Sequence, residues 1–242
     1  WHRQVLPLLA LVTTETTNVA LNTLFKFATR KGMSRYVFIV YAYGVAAIVL
    51  LPSPFFSPRS TALPPLNLSI LSKVFLLGVV GYSSQLMGYT GISFASPTLA
   101  SAMSNLAPAF TFLLALLFRM ERVEFSRTGT KEKIIGAVVS ITGAFVVTFY
   151  KGPRLGSSSL HQSSQSNWII GSLFLTVEYL LVPVWYILQA HIMKEYPSEL
   201  TLVFFYTACV SILGALVAIF ADPNSATWRF MPTITIASIL SS

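Results

Sequence analysis

The sequence is poor in charge, cysteine and histidine. Its 16 lysine and arginine residues and eight aspartate and glutamate residues make up only 10% of 242 positions, whereas a soluble domain carries about 25% charged residues. So few charges cannot cover a water-exposed surface, and the mean hydropathy is +0.69. A single cysteine excludes an intrachain disulfide, and three scattered histidines do not form the pattern of a zinc site. We therefore expect a membrane protein without a metal or other cofactor.

The net charge of +8 comes from residues that lie almost entirely in short segments between apolar runs. Lysine and arginine in such positions bind lipid headgroups at the ends of membrane spans. We therefore expect the lipid bilayer as the partner of these charges, and we expect no nucleic-acid partner.

Seven apolar runs approach the roughly 20 residues that a helix needs to cross a bilayer core about 30 Å thick. They are Val5–Phe25, Tyr36–Leu51, Ile70–Ala95, Thr98–Phe118, Ile134–Tyr150, Trp168–Leu188 and Leu200–Ala221, and an eighth run begins at Ile234. Lipid offers no hydrogen-bond partner to open backbone groups, so we expect each span to be a helix. The predicted fold class is all-α, a polytopic membrane helix bundle.

The first and second halves of the sequence can be aligned by one constant shift in residue number, the shift that places Glu15 on Glu178. The same shift places Tyr43 on Tyr206 and gives four other identities. A unit of five spans reverses its direction in the membrane when it is repeated, which is common among secondary transporters. We predict a first five-helix repeat over 1–152, a Ser-rich linker over 153–167, and an incomplete second, inverted repeat over 168–242 with two spans and the start of a third.

Glu15 is one of two carboxylates inside the predicted spans, where a charge costs roughly 2.5 kcal/mol or more. Asn18 and Asn22 follow it at spacings of three and four, so all three share one helix face. This stripe indicates a carboxylate that faces a cavity and binds a cationic or amino-bearing solute, or carries a proton. The structural alternative is a protonated Glu15 that is hydrogen-bonded to a neighbouring helix. Lys26 lies too far along the helix to neutralise Glu15, so we expect its ammonium group among the headgroups.

Glu178 is the second carboxylate at mid-span. Trp185 and Tyr186 follow seven and eight residues later, and Pro183 permits a local break in the helix. A solute-binding carboxylate and an interhelical hydrogen bond inside an aromatic core both fit this pattern.

Two further spans carry polar faces, with Tyr82, Gln85 and Tyr89 in the third and Ser101 and Asn105 in the fourth. Such residues can line a solute path, or they can join helices through hydrogen bonds worth about 0.6 kcal/mol each. The residues that we expect to bind solute are Glu15, Asn18, Asn22, Gln85, Tyr89, Asn105 and Glu178.

Small residues at helical spacing predict close packing between helices. Gly136, Ser140 and Ala144 recur every four residues, and the pairs Gly78/Gly81 and Gly214/Ala218 belong to the same class.

The residue sets of intramembrane hydrolases are missing from the sequence. Asp222 is the only aspartate, so an aspartate pair cannot form, and the three histidines lie outside the spans or at their ends. We expect no catalytic residue and no enzyme activity.

Several motifs together resemble one plant family. They are SPTLASAMSNLAPAFTF at 96–112, FRME at 118–121, NTLFK at 22–26, KGMS at 31–34, KIIG at 133–136, YKGP at 150–153, WYILQA at 185–190 and YPSEL at 196–200. The chain is similar over essentially its whole length to the plant nodulin-21-like, Walls-Are-Thin-related family of the EamA-type drug/metabolite transporter superfamily.

This resemblance implies ten helices in two inverted EamA-like repeats around a central path. It implies a secondary carrier of small organic solutes, such as amino acids or auxin-like metabolites, in the plasma membrane or the vacuolar membrane, and it leaves self-association open. Relatives carry Gln-Phe-Gly-Tyr-Ala where this chain has Glu15 to Val19, so the solute is not carried over. The family's last three helices are not in the sequence, and the alternative is a truncated, non-transporting fragment that associates with full-length transporter subunits.

Overall fold

The computed structural model describes residues 2–30, 32–52, 67–118, 128–149 and 165–221, and every regular element in these ranges is a helix. The helices are α1 His2–Arg30, α2 Arg35–Leu50, α3 Leu68–Phe94, α4 Pro97–Ser104, α5 Leu106–Leu117, α6 Thr128–Phe149, α7 Gln165–Glu195 and α8 Glu199–Ala221. The predicted all-α class is confirmed.

Each predicted span coincides with helical structure. Four stretches are long and apolar enough to cross a membrane: Leu68–Phe94, Pro97–Leu117, Asn167–Glu195 and Glu199–Ala221. Helix α2 and the stretch Ile134–Gly143 are apolar but shorter, and in α1 the polar run from Thr13 to Asn18 lowers the hydropathy. The eighth run at Ile234 and most of the predicted linker lie outside the described residues.

Two breaks shape the region between α3 and α5. Ser96 caps α4, with its Oγ accepting a hydrogen bond from the Leu99 N–H at 3.2 Å, and Pro97 occupies the first turn. The second break lies at Asn105, between α4 and α5. Pro108 has no N–H to give to the Ser104 carbonyl four residues earlier. The predicted span Thr98–Phe118 thus corresponds to the membrane-length stretch Pro97–Leu117, which a turn at Asn105 divides into α4 and α5.

Helix α3 lies at the centre of the described bundle. It packs along α7 and also contacts α8, while α2 packs along α8 and α5 contacts both α6 and α7. Leu77 and Ile92 of α3, Leu175 of α7 and Val210 of α8 are almost completely buried in these contacts.

Glycines of α3 allow this close packing, as the Gly78/Gly81 pair predicts. A Cβ at Gly78 would lie 2.7 Å from the Sγ of Cys209, and one at Gly214 would lie 3.3 Å from Val40. At Gly136 no atom of the described residues comes within 4 Å of a Cβ built there, so close packing at this glycine stays a prediction.

Lys26 of α1 bonds to the end of the central helix. Its Nζ donates hydrogen bonds to the carbonyl oxygens of Ile92 at 2.7 Å, Ser93 at 3.2 Å and Ala95 at 3.4 Å. These carbonyls belong to the C-terminal end of α3, where the helix dipole attracts a cation. Lys26 thus joins the C-terminal half of α1 to the end of the central helix, and its expected position among the headgroups stays a prediction.

The shift that superimposes Glu15 on Glu178 relates helices as well as single residues. Applied to the bounds of α1 it gives 165–193, and α7 spans Gln165–Glu195; applied to α2 it gives 198–213, within one residue of the start of α8 at Glu199. Tyr43 and Tyr206, which the shift superimposes, are in contact, with their hydroxyl oxygens 3.4 Å apart. The division into two repeats stays a prediction.

Candidate functional site

A cavity of about 340 Å³ lies between α1, α3 and α7, with further walls from α2, α4, α5 and α8. Six of the seven residues predicted to bind solute line it, namely Glu15, Asn18, Asn22, Gln85, Tyr89 and Glu178. Residues from both halves of the sequence thus meet at one site.

Asn105 is the predicted residue that is not part of the cavity lining. Its side chain is exposed, and Nδ2 donates a hydrogen bond to the Ala102 carbonyl at 3.2 Å. A short amide side chain at a helix break readily bonds to nearby backbone in this way. Ser101 and Ser104 of the same helix do line the cavity.

Glu178 lies on α7 against the central helix. Its Oε2 is buried and has no hydrogen-bond partner among the described residues. The backbone at this position is held in place by Ser84, whose Oγ donates to the Glu178 carbonyl at 3.4 Å. Among the described residues, no interhelical hydrogen bond therefore holds Oε2 in this position.

Glu15 occupies the exposed side of the same cavity. Around it the hydroxyl groups of Thr13, Thr16 and Thr17 donate to carbonyls one turn earlier in α1, each at 2.8 Å. These hydroxyl protons are used within the helix, and the polar residues of α1 that line the cavity are Glu15, Asn18 and Asn22.

Aromatic side chains form much of the remaining wall. The Tyr206 ring lies 6.0 Å from the Tyr43 ring and 5.3 Å from the Trp185 ring, both in edge-to-face geometry. Tyr179, next to Glu178 in sequence, donates its hydroxyl proton to the Ala100 carbonyl at 2.9 Å. That bond ties α7 to α4 directly beside the carboxylate.

Tyr89 belongs to both the cavity and the core. Its ring is 4.3 Å from the Phe25 ring and 5.2 Å from the Phe38 ring, measured between centroids, and the residue is buried. This cluster connects α1 and α2 to the central helix, and it gives Tyr89 a rigid position at the cavity wall.

The cavity is acidic. Its described lining holds two carboxylates and no lysine, arginine or histidine. In the part of the chain that the structure describes, no group of three or more His, Cys, Asp or Glu residues could hold a metal ion. Carboxylates and aromatic ring faces attract ammonium groups, while the amides of Asn18, Asn22 and Gln85 can both donate and accept hydrogen bonds.

Sequence patterns did not identify several lining residues as part of a site. Tyr43 and Tyr206 coincide under the shift and are in contact. That coincidence was a usable signal, because in the predicted two-fold repeat residues near the axis would touch their own counterparts. Gly81 and Tyr179 have no comparable signal in one sequence, since their place in the wall depends on which helices pack together.

Comparison with known proteins agrees with this architecture. The chain matches the EamA-like transporter family over residues 7–149 and the UAA transporter family over residues 126–240. It is 56% identical to WAT1-related protein At3g28050 of Arabidopsis thaliana, over 100% of this chain and 68% of that protein. It is 46% identical to WAT1-related protein At5g40240 and 47% identical to WAT1-related protein At3g28130 of the same plant, over 99% of this chain and 69% and 71% of those proteins.

No solved structure matches the chain significantly. The family matches are to transporters rather than to enzymes, and the apolar helices fit a multi-pass protein in a lipid bilayer. The chain therefore belongs to the WAT1-related, EamA-type family of membrane transporters for small solutes.

Proposed function

We propose that the cavity binds an amino-bearing small organic solute, such as an amino acid, and that the chain acts as a secondary carrier. The observation that carries this proposal is Glu178, whose Oε2 is buried in the cavity wall without a hydrogen-bond partner among the described residues. A buried polar atom is costly without a partner, and an ammonium group entering the cavity would supply one.

The rest of the lining supports the same class of solute. Glu15 would hold the ammonium group at the exposed side of the cavity, and the rings of Trp185 and Tyr206 would add cation–π attraction. Gln85, Asn18 and Asn22 would bind the remaining polar groups. A volume of about 340 Å³ lies at the lower end of the range for small-molecule sites.

Anionic solutes fit this cavity less well. An auxin-like carboxylate or a phosphate ester would enter a space with two carboxylates and no basic side chain in its described lining. We therefore propose amino acids and related amines ahead of auxin-like metabolites, in the plasma membrane or the vacuolar membrane.

Uptake into proteoliposomes tests this proposal. The purified chain is reconstituted, and entry of labelled amino acids is measured with amines or indole-3-acetate as competitors. We expect amines to compete and indole-3-acetate not to, and we expect Glu178→Gln to reduce uptake at least about tenfold because it removes the charge that binds the ammonium group. Glu15→Gln removes a more exposed charge, and we expect a loss of about threefold or more.

Glu195→Gln is the matched control. Glu195 lies at the C-terminal end of the same helix as Glu178 and pairs with Lys73 on the protein surface, so uptake should change by less than about twofold. Equal uptake by wild type, Glu178→Gln and Glu15→Gln would contradict the proposal. Absence of uptake for every solute, with recovery on addition of a full-length relative, would favour the alternative of a non-transporting subunit in an oligomer.

A further inference from the structure

Four glycines of α3 receive side chains from two neighbouring helices, from α8 at Gly78 and Gly81 and from α7 at Gly88 and Gly91. Within each of these two pairs the glycines are three positions apart, so they lie on the same side of α3. A Cβ at these positions would overlap Cys209 at Gly78, Tyr206 at Gly81, Glu178 at Gly88 and Leu175 at Gly91. The four glycines therefore accommodate two polar side chains of the cavity as well as two apolar contacts.

Gly88 differs from the other three in what it contacts. The three atoms nearest to a Cβ at this position are the two carboxyl oxygens and the Cδ of Glu178. The carboxyl group thus lies directly on the backbone of α3, in space that any other residue would fill. Since Oε2 has no hydrogen-bond partner among the described residues, the space above Gly88 is what permits its position.

We propose that Gly88 is a positioning residue, which determines where the Glu178 carboxyl group lies in the cavity. This inference rests on the proposed role of Glu178 in binding solute. The carboxyl group is the free end of a side chain with three rotatable bonds, so a methyl group at position 88 would be relieved by rotation of Glu178. The helices can then stay in place while the binding group moves.

Gly91 provides a contrast one turn away. A Cβ there would lie 2.7 Å from Cγ of Leu175 and 3.0 Å from the backbone oxygen of Gly171. Leu175 is completely buried, and a backbone atom cannot rotate away. The same methyl group at position 91 must therefore push α3 and α7 apart, which lowers stability without acting on the carboxylate in particular.

The test compares Gly88→Ala with Gly91→Ala in proteoliposomes and in detergent. We expect Gly88→Ala to raise the KM for amino acid uptake about tenfold, to change its pH profile and to leave thermal stability close to wild type. Gly91→Ala should lower thermal stability with a KM within about twofold of wild type.

Glu178→Asp shortens the side chain by one methylene, which makes room for a methyl group at position 88. The double variant Gly88→Ala/Glu178→Asp should therefore have a KM at least about threefold lower than that of Gly88→Ala. Equal KM effects of the two alanines, or no recovery in the double variant, would overturn the proposal.

A second measurement does not depend on transport. Dicyclohexylcarbodiimide modifies carboxyl groups in apolar surroundings, and mass spectrometry resolves its attachment to Glu178 from that to Glu15. Gly88→Ala should change the labelling rate of Glu178 at least about threefold and leave that of Glu15 unchanged. An unchanged rate at Glu178 would overturn the positioning role even if Glu178→Gln abolishes uptake. A changed rate in protein that transports nothing would count against the proposed function alone.

Discussion

Helices α1 and α7 carry a glutamate at the same position of a shared pattern, yet the two helices lie in different surroundings. The carboxyl group of Glu178 contacts the backbone of α3 at Gly88, whereas Glu15 is exposed. Three residues earlier in each helix, Leu175 is 0% exposed and Val12, its counterpart under the shift, is 57% exposed. Helix α7 packs along α3 for most of its length, and α1 touches α3 mainly through its C-terminal half.

The difference shows that the environment of a carboxylate is determined by the neighbouring helix and not by the helix that carries the carboxylate. Gly88 and Gly91 of α3 allow the close contact with α7. Under the same shift the counterpart of α3 would begin at residue 231, which lies outside the described residues. Within the described part of the chain, residues 12–21 of α1 have no such cover.

The largest effect that separates the two helices should come from their matched apolar positions. Leu175→Ala removes a fully buried side chain at the contact of α3 with α7, so it should lower the free energy of unfolding by about 2–5 kcal/mol. Val12→Ala should change it by less than about 0.5 kcal/mol, because Val12 has little contact to lose. Chemical unfolding of the purified chain in detergent micelles measures both values.

A destabilisation by Val12→Ala as large as that by Leu175→Ala would break the comparison. It would mean that the N-terminal half of α1 is covered in solution, for instance by a second copy of the chain. Sedimentation of the two variants beside wild type identifies that outcome.

A smaller effect should come from the point where α1 does join the central helix. Lys26→Met removes the hydrogen bonds from Nζ to the end of α3, so we expect a loss of about 1.5–3 kcal/mol in unfolding free energy. Backbone amides near Ala95 should also exchange faster with solvent.

Arg30→Met is the control for Lys26→Met, because Arg30 is an exposed position one turn further along α1. Substitutions at exposed positions usually change the free energy of unfolding by no more than about 0.5 kcal/mol, and we expect Arg30→Met to stay within that range. If both variants lowered the free energy of unfolding equally, positive charge near the C-terminal end of α1, and not the hydrogen bonds to α3, would be what stabilises the fold.

The smallest effect concerns the tyrosines that the shift superimposes. Their hydroxyl oxygens are 3.4 Å apart, longer than the roughly 2.7–2.8 Å that is usual for an O–H···O bond. Tyr43→Phe and Tyr206→Phe should therefore each cost less than about 1 kcal/mol, with a coupling energy near zero in a double-mutant cycle. A coupling above about 1 kcal/mol would show that α2 and α8 are joined through this pair more strongly than the distance indicates.

Much of the fold could be predicted from apolar runs and breaker residues. The ends of α2 and α8 lie within one residue of the predicted runs, and Ser96 caps α4 as its Ser-Pro pattern indicates. The break at Asn105 was missed although Pro108 is visible in the sequence. Its effect falls four residues earlier, on the Ser104 carbonyl, because a proline removes the hydrogen bond of the preceding turn.

The site was predictable where helical spacing decides which residues share a face. Glu15, Asn18 and Asn22 line the cavity together because their spacings of three and four match the turn of a helix. Asn105 fits a similar pattern and lies outside the lining, because the helix ends at that residue. The partner of Lys26 could not be predicted, because the carbonyls that it binds lie 66 to 69 residues away.

The sequence by itself determined that the chain is a bundle of membrane helices with two acidic positions and related polar stripes. Those properties follow from composition and from the number of residues per helical turn, and both can be read from one segment of sequence without knowing its neighbours. Only the tertiary structure decided that Glu178 is seated on Gly88 while Glu15 stays exposed, and that Lys26 caps α3. Such contacts depend on how closely two helices approach each other, and that distance depends on small residues on both partners at once.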